Sequence, residues 1–211
     1  MNGLGVTSVA LVDYGAGNLQ SVRNALKAAG AEDIKVTSDP NAVRRADRIV
    51  LPGVGAFAHC MNALSSIEGM VEALNDATGP EAGQGAKPFL GICVGMQLMA
   101  EAGEEHGVHA GLGWIKGRVR MMEPSDDSIK IPHMGWNDVV PSQPHPLIEL
   151  GEAYFLHSFA FEGADVLATS SHGRSVVAAI GRDNRIGVQF HPEKSQKYGI
   201  AMLSRFLEWK P

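Results

Sequence analysis

The chain has 211 residues, of which 45 % are hydrophobic and 19 % charged, and its formal net charge is −5. This length and apolar fraction suit one well-buried core, so we expect residues 1–211 to form a single domain. The acidic balance excludes a surface for nucleic acid or an anionic membrane, and two cysteines are too few for a disulfide framework or a thiolate zinc site.

The first half of the chain alternates short apolar runs with segments of helical periodicity. The apolar runs predict strands at residues 9–12, 34–37, 48–51 and 87–92. The periodic segments predict helices at residues 19–29, after an N-cap region at residues 38–39, at 56–74 and at 94–102. Strands that alternate with helices in this way indicate βαβ units and a mostly parallel sheet, so the predicted fold class is α/β.

After Gly111 the chain consists mainly of apolar runs with few helical segments between them. These runs predict strands at residues 114–121, 130–134, 154–161, 166–170, 176–180 and 186–190. They indicate an antiparallel extension of the sheet, and an amphipathic helix capped by Ser195 closes the chain. The first 15 residues lack a signal-peptide pattern and no run is long enough to span a membrane, so we expect a soluble cytoplasmic protein.

Cys93 lies in the sequence GICVG, between an apolar run and a helical pattern. Two glycines around a nucleophile permit a tight strand-to-helix turn, and a helix N-terminus favours the thiolate. The backbone N–H of Val94 would then face a developing oxyanion. The alternative is a small cysteine buried in a tight turn. Cys60, by contrast, lies in a helical run without such an elbow, and we interpret it as core or near-core packing.

His191 ends the last predicted strand, and Glu193 follows two residues later. Side chains two residues apart in an extended segment point to the same side, so Glu193 can orient the His191 ring. The alternative is a structural histidine satisfied by a neighbouring carboxylate. Gly53, Val54 and Gly55 follow another strand, and their N–H groups could complete an oxyanion hole or form an ordinary turn.

Six motifs together give the chain a family resemblance. The sequence GICVGMQ at residues 91–97, with PGVG at 52–55 and QFHPE at 189–193, resembles the class I, triad-type glutamine amidotransferases. Within that class, VDYGAGNL at 12–19, IPHMGWN at 131–137 and YFLHSF at 154–159 resemble the glutaminase subunits of imidazole glycerol phosphate synthases. The resemblance implies a three-layer, flavodoxin-like α/β fold and no cofactor or metal.

The resemblance also implies a role for each matching residue. Cys93 would be the nucleophile, His191 the acid and base, and Glu193 the residue that orients His191. The glutamine-binding positions implied are Gly53, Val54, Gly55, Val94, Gln97, Ser158 and Phe159. A solvated helix residue remains the alternative for Gln97.

A glutaminase of this family implies a partner that uses its ammonia, here a (βα)₈-barrel cyclase subunit in a heterodimer. The candidate interface residues are Tyr14, Asn18, Trp136 and Lys194. Three other functions remain open: a glutaminase for another synthase such as the pyridoxal phosphate type, a catalytically silent scaffold that binds a partner, and a cysteine peptidase. The intact triad argues against the scaffold, and Gln97 with the HSF segment argues against the peptidase.

Overall fold

The computed structural model describes residues 7–79, 83, 85–126 and 128–211. The chain starts with alternating strands and helices: β1 (Ser8–Val12), α1 (Leu19–Ala28), β2 (Asp33–Thr37), α2 (Pro40–Arg45), β3 (Arg48–Gly53), α3 (Phe57–Ser66), α4 (Met70–Thr78), β4 (Phe89–Cys93) and α5 (Val94–Gln97). It continues mainly as strands: β5 (Ala100–Gly103), β6 (His109–Ala110), β7 (Ile115–Met121), β8 (His133–Pro141), β9 (Gly151–His157), β10 (Phe159–Gly163), β11 (Val166–His172), β12 (Arg174–Arg182) and β13 (Arg185–Val188). Helix α6 (Gln196–Glu208) follows a short 3-10 helix at Pro192–Lys194.

The main sheet has nine strands in the order β2-β1-β3-β4-β13-β12-β11-β8-β9. Its first five strands run parallel, in the 2-1-3-4-5 order of flavodoxin-like sheets, and the other four are antiparallel. Helices α1 and α6 pack together, as do α2, α3 and α4, and the helices and the sheet form a three-layer α/β architecture. The predicted α/β class and the antiparallel extension are confirmed.

A second sheet of four strands, in the order β10-β7-β5-β6, was not predicted. The helix predicted at residues 94–102 is wrong after Gln97, because the chain leaves α5 after one turn and enters β5. Leu98, Met99 and Ala100 are all fully buried, so this segment has no solvent face to show a helical or a strand periodicity.

Two strand predictions also need correction. The run at residues 154–161 is two strands, because Ser158 separates β9 in the main sheet from β10 in the second sheet. The strand predicted at residues 130–134 begins at His133 instead and continues as β8 to Pro141. Its continuation alternates exposed residues with half-buried or buried ones, as expected for an antiparallel strand with one solvated face.

The register of the central strands determines where the functional residues meet. Strands β1, β3 and β4 are almost entirely buried, and Gly53 of β3 pairs with Cys93 of β4. On the other side of β4, Val188 of β13 pairs with Ile92. Three chain segments therefore leave the sheet side by side at its carboxyl edge, where open α/β sheets bind their ligands. No helix in the described parts of the chain is both long and apolar enough to cross a membrane.

Candidate active site

Cys93 is the last residue of β4 and lies in a sharp turn with a backbone φ of +53°. A non-glycine residue rarely adopts this left-handed conformation, and such strain is concentrated at functional sites. The flanking glycines make the turn possible. A Cβ on Gly91 would lie 2.6 Å from the carbonyl oxygen of Gly95, and a Cβ on Gly95 would lie 1.9 Å from that of Leu51. The GICVG motif is therefore a sharp elbow that presents Cys93.

The elbow gives a stability prediction for Gly95→Ala. The new methyl group would overlap the backbone of β3, which cannot rotate away, and we expect a loss of about 3 kcal/mol or more in the free energy of unfolding. Gly85→Ala is the matched control, because a Cβ there has no atom within 4 Å and we expect a change within about 0.5 kcal/mol. Urea denaturation measures both, and equal stability of the two variants would contradict the tight elbow.

Helix α5, which follows Cys93, is only one turn long. Val94 is its first residue, so the Val94 N–H has no acceptor within the helix, and Val94 also lines a small cavity beside Cys93. A single turn contributes little of the macrodipole that a longer helix would provide. The expected stabilisation of a thiolate by the helix is therefore smaller than the sequence suggested, and other groups must supply it.

His191 and Glu193 lie beside Cys93, as the sequence predicted. The Nδ1 atom of His191 is 2.8 Å from Oε1 of Glu193, and the two side chains are only 3 % and 2 % exposed. The other ring nitrogen, Nε2, is buried without a hydrogen bond among the described residues, although Cys93 is close enough to act on the ring. Catalytic hydrogen bonds of this kind are often long before substrate binds.

Burial of the His191 ring disfavours its charged form, but the neighbouring groups outweigh this effect. Interactions of the ring with the nearby Cys93 and then with Glu193 raise the pKa of His191 to about 10. His191 is therefore an imidazolium at neutral pH, next to the sulfur atom. A positive charge at this position favours the thiolate form of a cysteine, which is the nucleophilic form.

The backbone of His191 is held on two sides. Its N–H donates to the carbonyl oxygen of Tyr154 in β9 at 2.9 Å. Its carbonyl oxygen accepts a 2.6 Å hydrogen bond from the hydroxyl of Ser195, which in turn accepts from the N–H of Tyr154. Ser195 precedes α6, but its hydroxyl makes no capping bond, so the predicted cap is instead a support for His191.

A cavity of about 170 Å³ opens above the Cys93 sulfur. Pockets for drug-sized ligands measure about 300–1,000 Å³, so this one suits a smaller molecule. Most of the predicted catalytic and binding residues line the cavity: Val54, Gly55, Cys93, Val94, Gln97, Ser158, Phe159, His191 and Lys194. Three further lining residues, Glu105, Leu156 and His157, had no role predicted from the sequence.

Val54 and Gly55 line the cavity, and Gly53 precedes them at the end of β3. A Cβ on Gly53 would lie 2.7 Å from the N–H nitrogen of Gly95, so this position also requires glycine. The carbonyl oxygen of Val54 accepts a 3.4 Å hydrogen bond from the thiol of Cys60. Cys60 is fully buried, as predicted, and its thiol also orients the peptide group that follows Val54.

The candidate interface residues differ in their exposure. The structure argues against Tyr14 as an interface residue, because the residue is only 5 % exposed and its hydroxyl donates to the carbonyl oxygen of Pro52 at 2.7 Å. Tyr14 supports the Gly53 turn from below instead. Trp136 is 48 % exposed, and Asn18 is exposed while capping α1. Lys194 is exposed at the cavity rim, 5.7 Å above the ring of Tyr154.

Glu105, His157 and Gln189 lie at the site without a role predicted from the sequence. Glu105 lines the cavity and accepts a hydrogen bond from the N–H of Phe57, at the start of α3. Gln189 is part of the QFHPE motif, and its place next to the predicted strand end was the available signal. His157 was quoted only as part of the YFLHSF motif. No group of three or more possible metal ligands occurs in the described part of the chain.

A family model and two relatives identify the same family. Residues 10–209 match the family model described as Glutamine amidotransferase class-I. The chain is 59 % identical to the imidazole glycerol phosphate synthase subunit HisH of Zymomonas mobilis subsp. mobilis, over 97 % of each chain. It is 52 % identical to the protein of that name from Rhodopseudomonas palustris, over 97 % of this chain and 100 % of the relative. PurLQS from Thermotoga maritima matches 95 % of this chain and 97 % of its own with a TM-score of 0.69 at 19 % identity, which shows a shared fold.

Proposed function

Because the chain belongs to the class I glutamine amidotransferases, and within them to the family of the HisH subunits, we propose that it is the glutaminase subunit of an imidazole glycerol phosphate synthase. It hydrolyses glutamine to glutamate and ammonia, and a cyclase subunit uses the ammonia in histidine biosynthesis. The identity of 59 % to a HisH subunit over 97 % of the chain supports this proposal. The position of Cys93 beside the His191–Glu193 pair supports the chemistry.

The first half of the proposed reaction forms a thioester. The Cys93 thiolate attacks the side-chain amide carbon of glutamine, and the carbonyl oxygen becomes an oxyanion. The N–H groups of Val94 and of the Gly53–Gly55 segment stabilise that charge, an effect commonly worth about 3–4 kcal/mol per donor. Protonated His191 gives its Nε2 proton to the leaving nitrogen, so ammonia departs and a γ-glutamyl thioester remains on Cys93.

The second half releases glutamate. His191, now neutral, takes a proton from a water molecule, whose oxygen attacks the thioester carbon. The oxyanion of the second tetrahedral intermediate accepts hydrogen bonds from the same N–H groups. When it collapses, the carbon–sulfur bond breaks, glutamate leaves, and the thiolate–imidazolium pair is restored. Glu193 keeps the proton on Nδ1 and stabilises the charged ring throughout.

We assign the substrate backbone to the Ser158–Phe159 segment and to Gln97 at the cavity wall. The carbonyl oxygen of Ser158 already accepts from the N–H of Met122, and that of Phe159 accepts from both His157 and Gln97. A carbonyl oxygen has two lone pairs, so Phe159 has no acceptor left for the substrate. The Ser158 carbonyl oxygen keeps one lone pair, so the segment can offer glutamine this acceptor together with N–H groups and side chains.

The partner that fits this activity is a (βα)₈-barrel cyclase docked as a heterodimer. Ammonia released into water is protonated and loses its nucleophilicity, so a docked partner with an internal passage is expected. Trp136, Asn18 and Lys194 are exposed and remain the proposed contacts. We further propose that residues 1–211 act as a single domain in the cytoplasm, which is where amino-acid biosynthesis takes place.

The test is glutamate release from glutamine, measured with and without a purified barrel cyclase and its nucleotide ligand. We expect the partner to raise the rate by about 5- to 150-fold, the range of typical coupling between sites. Glutamate release that is independent of the cyclase but requires a pyridoxal phosphate synthase would favour the other glutaminase. Binding of the cyclase without any glutamate release would favour the silent scaffold, and cleavage of peptides would favour the peptidase.

A further inference from the structure

Gln189 is a fully buried polar residue beside the nucleophile. Val188 pairs with Ile92 in the parallel register of β13 and β4, so the next residues along the two segments, Gln189 and Cys93, are neighbours. The Nε2 atom of Gln189 donates a hydrogen bond to the Cys93 sulfur, with a nitrogen–sulfur distance of 3.6 Å. The mechanism described above makes no use of this contact.

The orientation of the Gln189 amide is determined by its neighbours. The carbonyl oxygen of Phe159 can only accept, so the group of Gln97 that lies 3.0 Å from it is the amide nitrogen. That same nitrogen donates to Oε1 of Gln189, also at 3.0 Å. Because Gln189 must present its oxygen to Gln97, its nitrogen necessarily faces Cys93.

The arrangement continues away from the cavity through two histidines. Nδ1 of His157 lies 2.9 Å from the Phe159 carbonyl oxygen, so it carries a proton, and Nε2 accepts from Nδ1 of His133 at 3.1 Å. Asn137 donates to Nε2 of His133 at 2.9 Å. Burial above all lowers the pKa of His157 to about 4 and that of His133 to about 3, so both rings are neutral and each keeps one donor and one acceptor. Each hydrogen bond in this chain therefore has one defined donor and one defined acceptor.

We propose that Gln189 is a further catalytic residue, which donates a hydrogen bond to the Cys93 sulfur and is oriented by Gln97 and the Phe159 carbonyl group. The proposal deepens the glutaminase assignment and rests on it for the reaction itself. The Gln189 N–H stabilises the thiolate before attack. It stabilises the sulfur again when the second tetrahedral intermediate collapses and the electron pair of the carbon–sulfur bond returns to sulfur. Because α5 has only one turn, its dipole stabilises the Cys93 thiolate little, and the Gln189 side chain supplies additional stabilisation.

The test replaces the donor with an apolar side chain of similar length. For Gln189→Met in complex with the cyclase, we expect kcat to fall by about tenfold or more, as for the loss of a hydrogen bond to a charged group, with little change in KM. Alkylation of Cys93 by iodoacetamide, followed by mass spectrometry of its peptide, measures the reactivity of the Cys93 sulfur directly. We expect the pH of half-maximal alkylation to rise by about one unit for a tenfold loss of thiolate stabilisation.

Two further variants keep the proposal falsifiable. Gln189→Glu retains the acceptor for Gln97 and loses the donor when it ionises, so we expect alkylation to slow as this carboxyl group loses its proton. Gln143→Met is the matched control, because Gln143 is exposed, bonds the Val166 carbonyl oxygen and should leave both readouts unchanged. A wild-type kcat and alkylation profile for Gln189→Met would overturn the proposal. Absence of glutamate release by the wild-type complex would instead reject the proposed function, while alkylation still tests Gln189.

Discussion

Replacement of Cys93 by alanine is expected to lower kcat for glutamate release by about 10⁴-fold or more in the complex with the cyclase, because losses of this size follow removal of a nucleophile in hydrolases that act by the same logic. Without the sulfur no thioester can form, and His191 is left with no nucleophile to pair with. Water attack within the remaining oxyanion site is the only route left. Glutamate release under saturating glutamine measures the effect.

Cys60→Ser is the matched control for this variant. It changes the other cysteine, and its hydroxyl keeps a donor for the carbonyl oxygen of Val54. We expect glutaminase activity within about tenfold of the wild type, which is the scale of a weakened neutral hydrogen bond. If Cys93→Ala retained activity comparable to Cys60→Ser, the thioester mechanism would be wrong.

The sequence predicted the centre of the site because its residues follow simple local rules. Gly91 and Gly95 around Cys93 predict an elbow, and backbone contacts at 2.6 Å and 1.9 Å explain why both positions must be glycine. His191 and Cys93 each follow a predicted strand, and the carboxyl ends of parallel strands meet at one edge. Both features depend on the type and spacing of residues, so no tertiary information was needed to place them together.

The features that the sequence did not predict depend on tertiary contacts. Residues 98–100 are buried on all sides, so their apolar run carries no period that distinguishes a helix from a strand. Tyr14 was a candidate interface residue, yet it is buried and its hydroxyl donates to the Pro52 carbonyl oxygen, 38 residues away in the chain. Gln189 follows β13 directly and donates a hydrogen bond to Cys93, which precedes it by nearly a hundred residues, so only the register of β13 against β4 reveals the contact.

Glu193→Gln is expected to lower kcat by about 10²- to 10⁴-fold, because an amide in the corresponding position of a serine-protease triad costs about 10⁴-fold. Glu193 is nearly isosteric with glutamine, so the side chain still fits its buried site. The change removes a negative charge that helps to raise the pKa of His191 to about 10. The His191 pKa therefore falls, and fewer molecules carry the thiolate–imidazolium pair at neutral pH. The pH of half-maximal Cys93 alkylation by iodoacetamide should shift to a higher value in the same variant, because a less basic His191 stabilises the thiolate less.

The charge of Glu193 should also change how the free energy of unfolding depends on pH. A histidine whose pKa is higher in the folded than in the unfolded state stabilises the fold fully below the unfolded value of about 6.5, and this contribution disappears as the pH rises through about 10. The wild type should therefore exceed Glu193→Gln in free energy of unfolding by more than about 1 kcal/mol at pH 6, since one pKa unit corresponds to about 1.4 kcal/mol. The difference should shrink steadily between pH 6.5 and 10 in urea titrations. A difference that is constant over this range would show that Glu193 acts by packing alone and that its charge does not hold the proton on His191.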